Sequence, residues 1–400
     1  MKRLSIISTI LIAGLATSAP IFAEEPSPAA GDSDQPKLTI KPSGRVLLDG
    51  ALFLPNKNGF ADGVAIPDVR IGASATYGKV SAKIDIGYGL GKISLKDVYL
   101  QYTPNANNFI RGGYFVQQFG LNSATSSAMK PTMIATTSDS YLNATGRNLG
   151  IMYVHDQGPI FLGVTAFTPS TTMTTSPSQQ GKISVGAAER FVWRPIRDPG
   201  QVVQVGFSSW YQTAEHTATT NEDGETVTSP GFFKYSIGFP TKVESVPMLS
   251  ANIQNAKTTF RLTPELLLSK GRLALEGQYY YMNVSRDAGF HNYTAQGGYA
   301  LLRCLLVGDS KYSYSHADAG LATPGPKSLE CVLGYDYMNA TDIKAGINGG
   351  ISNDYSVTFN YYINKYLIAR LRYSYTNVRA SDATFPRHEN IIQARIMFKF

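Results

Sequence analysis

The chain has 400 residues, 43% of them apolar and only 16% charged, with 37 glycines and 24 tyrosines. A soluble surface of this size normally carries about a quarter charged residues, and a helical membrane protein needs runs of about 20 apolar residues. Beyond the N-terminus the chain has neither, so its short alternating segments point to an all-β protein. Lys and Arg outnumber Asp and Glu by 36 to 29, a formal charge of +7. That balance suits nucleic acid, anionic lipid or an anionic solute.

The first residues read as an export signal. Met1-Lys2-Arg3 is a basic start, Leu4 to Ala16 is an apolar stretch interrupted by Ser and Thr, and Pro20-Ile21-Phe22-Ala23 offers a cleavage site. This is the layout of a signal peptide over 1–23. An exported chain makes nucleic acid a poor partner. Residues 24–36, rich in Pro and acids, read as a disordered lead-in, and 37–400 as the structured domain.

From Lys41 onward apolar and polar residues alternate in segments separated by turn residues. Strands are predicted near 41–54, 66–77, 79–89, 94–103, 108–117, 147–156, 160–168, 182–194, 201–212, 256–268, 271–284, 293–306, 328–340, 351–362, 366–378 and 389–400. About sixteen strands is an even number, as expected of a transmembrane antiparallel β-barrel in a bacterial outer membrane. Connections alternate in length. Those at Gly78, 104–107, 157–159, 269–270 and 364–365 are tight, while 118–146 and 213–255 are long. This matches short periplasmic turns and long external loops. The 307–327 connection breaks the rhythm, being long at the periplasmic end, and leaves the count open by two strands.

A soluble two-sheet fold would bury the apolar faces. Here an apolar set such as Leu367, Ala369, Leu371, Tyr373 and Tyr375 ends in aromatics, which suits a membrane interface. In the segment 390–400, Phe398, Ile396, Ala394 and Ile392 share one face, and Lys399, Met397, Arg395 and Gln393 the other. This is expected to be the strand that closes the barrel, its apolar face on lipid.

The same alternation assigns the lumen. Arg45 and Asp49, Asp68 and Arg70, Lys83 and Asp85, and Asp97, Tyr99 and Gln101 turn inward, as do Arg190, Arg194, Arg261 and Arg272. A charge facing lipid at mid-depth would cost about 2–4 kcal/mol, so the side is physically constrained. A wall richer in bases than acids draws anions, and guanidinium groups match phosphate oxygens. Arg45, Arg70, Lys83, Arg111, Arg370, Arg372 and Arg395 are therefore the expected anion path. Lys130 and Arg147, in and just after the first long connection, are the expected constriction. Two alternatives stand. Asp49, Asp68, Asp85, Asp97, Glu265 and Glu276 neutralise the arginines, which then only brace the wall. Or the long connections, the second carrying Lys234 and Lys242, stand up as exposed loops instead of folding in.

Catalysis finds no support. His155, His216, His291, His316 and His388 are scattered without metal-ligand spacing, and Gly87–Lys92, GYGLGK, departs from the phosphate-cradling loop and reads as a hairpin tip. Cys304 and Cys331 read as two small apolar side chains rather than a disulfide, and no metal or cofactor is expected. Phe115, Tyr99 and Tyr280 fall on inward parity, either as a sugar-stacking track of an oligosaccharide pore or as packing. A surface receptor or adhesin would need a plug domain or large external loops; exposure of Thr220–Ser229 would favour it.

Several stretches together resemble the phosphate-selective porin O/P family: SGRVLLDGALFL (Ser43–Leu54), GKISLKDVYLQYTP (Gly91–Pro104), IRGGYFVQQFGLNSATSS (Ile110–Ser127), GRNLGIMY (Gly146–Tyr153), VTFNYYINKYLIARLRYSYTNV (Val357–Val378) and the terminal strand. The resemblance implies a sixteen-stranded homotrimeric porin with pore-narrowing loops. It also implies an arginine-lined path for passive diffusion of small anions such as phosphate or pyrophosphate, with outer-membrane lipid as the other partner. The chain departs from the family pattern in keeping Arg70 alone where paired arginines are common, in Gln118 where Pro is common, and at Val307 and Asp309.

Overall fold

A computed structural model describes residues 36–54, 58–143, 146–169, 180–220, 223–379 and 388–400. The expected signal peptide (1–23) and nearly all of the lead-in lie outside the described residues. Sixteen antiparallel strands close into one barrel. They are β1 Thr39–Phe53, β2 Gly63–Tyr77, β3 Val80–Gly89, β4 Lys92–Asn105, β5 Asn108–Val116, β6 Arg147–Gln157, β7 Ile160–Thr168 and β8 Gly186–Asp198. The second half is β9 Gln201–Thr213, β10 Ala256–Lys270, β11 Leu273–Arg286, β12 Tyr293–Val307, β13 Ser328–Asp342, β14 Ile347–Tyr362, β15 Leu367–Arg379 and β16 His388–Lys399. Each expected strand is present within a few residues. β16 returns to β1, with Arg45 opposite Lys399 and Phe53 opposite Ile391, so the terminal strand does close the barrel.

The alternation has a simple cause. Leu48 and Leu52 expose about half their surface outward, while Leu47, Asp49 and Ala51, on the opposite parity, are buried inside. A slip of one residue would exchange the two sets and turn charges toward lipid. Aromatic rings gather on the outer face, where Tyr366, Phe398 and Phe400 form a chain of ring contacts. Tyr279, Tyr335 and Tyr373 give their hydroxyls to outward carboxamides of Gln296, Asn353 and Asn390, as suits rings at a membrane interface. The Gly87–Lys92 segment is indeed a hairpin tip, where Leu90 and Gly91 both take positive φ and match the strand twist of a two-residue turn. Cys304 and Cys331 are free thiols directly opposite one another on the outer faces of β12 and β13.

Three connections fold into the lumen. The first, 117–146, holds two short helices, α1 Gly120–Ala124 and α2 Thr137–Leu142, both largely buried. Thr136 caps α2, and the Asp336 carboxylate of β13 also accepts its first N–H groups. The second is a hairpin, Phe232–Gly238 with Pro247–Gln254, whose tip carries Pro240 between the walls. The third is the 308–327 connection that left the strand count open. It adds nothing to the wall: Tyr314–Ser315 pairs only with Gly320–Leu321. Its Tyr312 hydroxyl bonds Glu330 and its Tyr314 hydroxyl bonds Gln204, while the carbonyls of Asp318 and Ala319 accept from Arg190.

Leu121 of α1 meets this third segment. It packs with Leu321, and a Cβ on Gly320 would lie 2.8 Å from its Cδ1. Connections entering from opposite ends of the barrel therefore touch inside it. Together with Phe60, Trp210, Phe239 and Leu249 in one apolar cluster, the three segments fill the side lined by β8–β16. Inward side chains there, such as Arg261, Thr263, Glu330 and Thr358, are buried, whereas most of those of β2–β5 stay partly open to solvent, Asp85 and Phe115 excepted.

Candidate functional site

The open part of the lumen is a cavity of about 710 Å³ between the β1–β6 wall and the 117–146 segment. The wall brings together Arg45, Arg70, Lys83 and Arg111 of the expected anion path, and Arg147 joins them from the start of β6. They come from adjacent strands because the register sets Arg45 opposite Arg70 and Lys83 opposite Tyr99. Carboxylates are interleaved. Arg45 Nε donates to Asp68 at 2.6 Å, and Arg70 Nε reaches the other oxygen of Asp68 at 3.2 Å. Lys83 lies 3.0 Å from Asp85 and 3.5 Å from Asp97, and Arg147 Nε is 2.7 Å from Asp97.

The pairing does not silence the wall. The cations of these pairs keep 11–30% of their side-chain surface exposed, so an arriving anion can reach the donors. Among the side chains lining the cavity, seven are basic and three acidic, the latter being Asp85, Asp97 and Asp318. Asp318 belongs to the third segment, and burial raises its carboxyl above the ordinary range.

The 117–146 segment forms the opposite side. Ser126 and Ser127 accept hydrogen bonds from Arg45 Nη1 (3.3 Å) and Nη2 (2.9 Å), which ties the segment across to β1. Lys130, one of the two expected constriction residues, also lines the cavity. Its Nζ donates to the carbonyl and side-chain oxygens of Asn122 and stands 3.8 Å from Asp139. Burial lowers its pKa, with Asp139 opposing.

The remaining residues of the expected path are placed differently. Arg370, Arg372 and Arg395 point inward, as parity requires, but lie beneath the infolded segments at 3–4% exposure. Arg370 Nη1 donates to the Lys130 carbonyl at 2.8 Å; Arg372 bonds Asp354 at 2.6 Å and the Pro240 carbonyl at 3.2 Å. Arg395 grips both oxygens of Asp49 at 2.6 Å and also reaches the Met133 carbonyl at 2.5 Å. The cavity therefore gathers Arg45, Arg70, Lys83 and Arg111, and not these three. Arg190 with Glu265 and Arg303 with Glu276 are buried pairs of the same kind. The bracing alternative thus describes the β8–β16 side. Lys234 and Lys242 are both exposed; enclosure by the surrounding barrel lowers the Lys242 pKa, Arg395 adding to the drop and Asp49 opposing it.

Sequence reasoning missed Lys96. The strand shifts register between Ile84 and Ile86, opposite Val98 and Leu95, so Lys96 and Asp97 both turn inward where strict alternation admits one. Gly87 leaves the room: a Cβ there would collide with the Lys96 side chain. The supposed aromatic track is interrupted, since Phe115 and Tyr280 are 1% exposed and Tyr280 donates to Asp139. Among the described residues no three His, Cys, Asp or Glu side chains gather as a metal site would need.

The profile of one protein family, phosphate-selective porin O and P, matches residues 68–400. The chain belongs to that family. It is a sixteen-stranded outer-membrane porin for passive diffusion of small anions, and its work is transport, not catalysis. Solved porins share the fold at low identity. In-vitro folded OmpT of Vibrio cholerae aligns at 10% identity and TM-score 0.60, over 91% of this chain and 98% of its own. An anion-selective porin from Comamonas acidovorans aligns at 11% and 0.56, over 91% and 100%. OprB of Pseudomonas putida aligns at 9% and 0.51, over 91% and 94%. Comparison with curated proteins gives no match.

Proposed function

We propose that anions cross this porin along the β1–β6 wall, handed between Arg45, Arg70, Lys83, Arg111 and Arg147 under the Lys130 side of the infolded segment. The preferred solute is phosphate or pyrophosphate. The observation that carries this reading is the basic excess among the side chains lining the cavity. Paired donors such as Arg45 and Arg70, which share Asp68, have the spacing to release that carboxylate and take phosphate oxygens in its place. Arg370, Arg372 and Arg395 act one layer behind, holding the segments that narrow the path.

The assembly is a homotrimer, exported by the 1–23 signal. In its support, the outward positions of β1 carry no polar side chain, being Ile40, Pro42, Gly44, Val46, Leu48, Gly50 and Leu52, whereas on β11–β15 outward carboxamides interrupt the apolar surface. OmpT of Vibrio cholerae has also been solved in a trimer form. The test is the reversal potential of the purified protein in a planar bilayer under a KCl gradient, repeated with phosphate salts. Anion preference reduced by Arg147→Gln is expected; an unselective or cation-preferring pore would overturn the path.

A further inference from the structure

Arg111 differs from the other cations of the open wall. Arg45, Arg70, Lys83 and Arg147 each lie within 3.5 Å of a carboxylate oxygen. Arg111 has no such partner among the described residues: its Nε and Nη2 both donate to the neutral Oε1 of Gln101, at 3.0 and 2.7 Å. Nη1 makes no hydrogen bond to a described residue. Rings surround the group. Its guanidinium carbon stands 4.0 Å from the centre of Tyr99, 5.1 Å from Phe109 and 5.7 Å from Phe115. Phe115 is buried, but Tyr99 and Phe109 keep part of their surface on the 710 Å³ cavity. Gly113, opposite Tyr99, lets the two strands approach, because a Cβ there would lie 2.6 Å from the Tyr99 Cα.

A cation with no carboxylate at hydrogen-bond distance and a spare donor, rimmed by apolar rings, suits a particular solute better than it suits phosphate. We propose that Arg111, Tyr99 and Phe109 form a subsite for small organic anions with a flat apolar body, the aromatic carboxylates. The carboxylate accepts from Nη1, and the solute ring lies offset or edge-on against Phe109 and Tyr99. Chloride and phosphate have no apolar face to bury, and acetate has almost none. The inference rests on the anion path but makes a separate demand on it.

Benzoate and acetate, matched in charge, are compared as blockers of chloride current through the purified porin in a planar bilayer. Half-block is expected at a roughly fivefold lower concentration of benzoate, equivalent to about 1 kcal/mol. Arg111→Lys keeps the charge but loses the flat, ring-stacked fork, and should bring benzoate to the acetate level. Phe109→Ala, a gentler change to the fold, should at least halve the difference. Equal block by the two acids in the unmodified porin, or an undiminished benzoate advantage in both variants, overturns the subsite. The KCl reversal potential of the unmodified porin judges the anion path independently, so failure of one reading cannot pass for failure of the other.

Discussion

The Arg395–Asp49 pair joins the last strand to the first, and its removal has a calculable effect. Both side chains are buried, both carboxylate oxygens are engaged, and the third nitrogen holds the Met133 carbonyl of the infolded segment. In Arg395→Met, the Asp49 carboxylate stays buried with its partner gone, which costs about 3–5 kcal/mol. Asp49→Leu strands the guanidinium and should cost a similar amount. In the double variant no charge is left behind, so it should be no less stable than either single variant, a coupling of at least about 3 kcal/mol between the two sites. The assay is urea unfolding in detergent, followed by the fluorescence of Trp193 and Trp210. Single variants that each lose less than about 1 kcal/mol, within the range of a surface pair, would refute the view that this pair clamps the closing seam. So would strict additivity. Single-channel recordings of Arg395→Met should also be noisier, because Met133 loses its anchor.

Arg372→Ala frees the Pro240 carbonyl from one of its two donors, Gln393 being the other; conductance should rise while the reversal potential stays near that of the unmodified porin. Lys83→Gln should do the reverse, lowering anion preference with little change in conductance, both read in the same bilayer experiment. Replacing residues 309–326 by a two-residue turn removes the periplasmic segment together with its contact to Leu121, and conductance should increase severalfold; an unchanged conductance would mean that the segment leaves the path clear. Burial raises the Asp318 carboxyl above the ordinary aspartate value, about 3.9 in a free side chain. As the pH falls through that raised value a negative charge leaves the cavity, so anion preference should climb at a higher pH than free aspartate would dictate. Asp318→Asn should flatten the climb.

The wall was legible in the sequence because alternation on a lipid-facing strand tolerates no compromise. Arg395 and Lys399 had to oppose Ile396 and Phe398, and they do. What parity supplies is a side, not a partner. It sent Arg111 and Arg372 inward equally, and only the fold shows that one meets the open cavity and the other the Pro240 carbonyl. Lys96 was lost for a local reason, since one bulge resets the alternation and a bulge leaves little trace in composition. The 308–327 segment did leave a signal, its length at the wrong end of the barrel. Its destination was hidden, because contacts such as Tyr314 with Gln204 span more than a hundred residues of chain.

The eccentric filling of the lumen divides the protein's tolerance of change. Most inward positions on β2–β5 are wetted by the channel, Asp85 and Phe115 excepted, so exchanges at the open ones can retune selectivity with little effect on whether the barrel assembles. Most inward positions on β9–β16, Lys399 on the cavity excepted, are interior packing in all but name, as at the buried Thr263, Glu330 and Thr358. A saturation library covering every inward residue should therefore split into two populations along the circumference, one altering what passes and the other altering whether any folded pore is recovered.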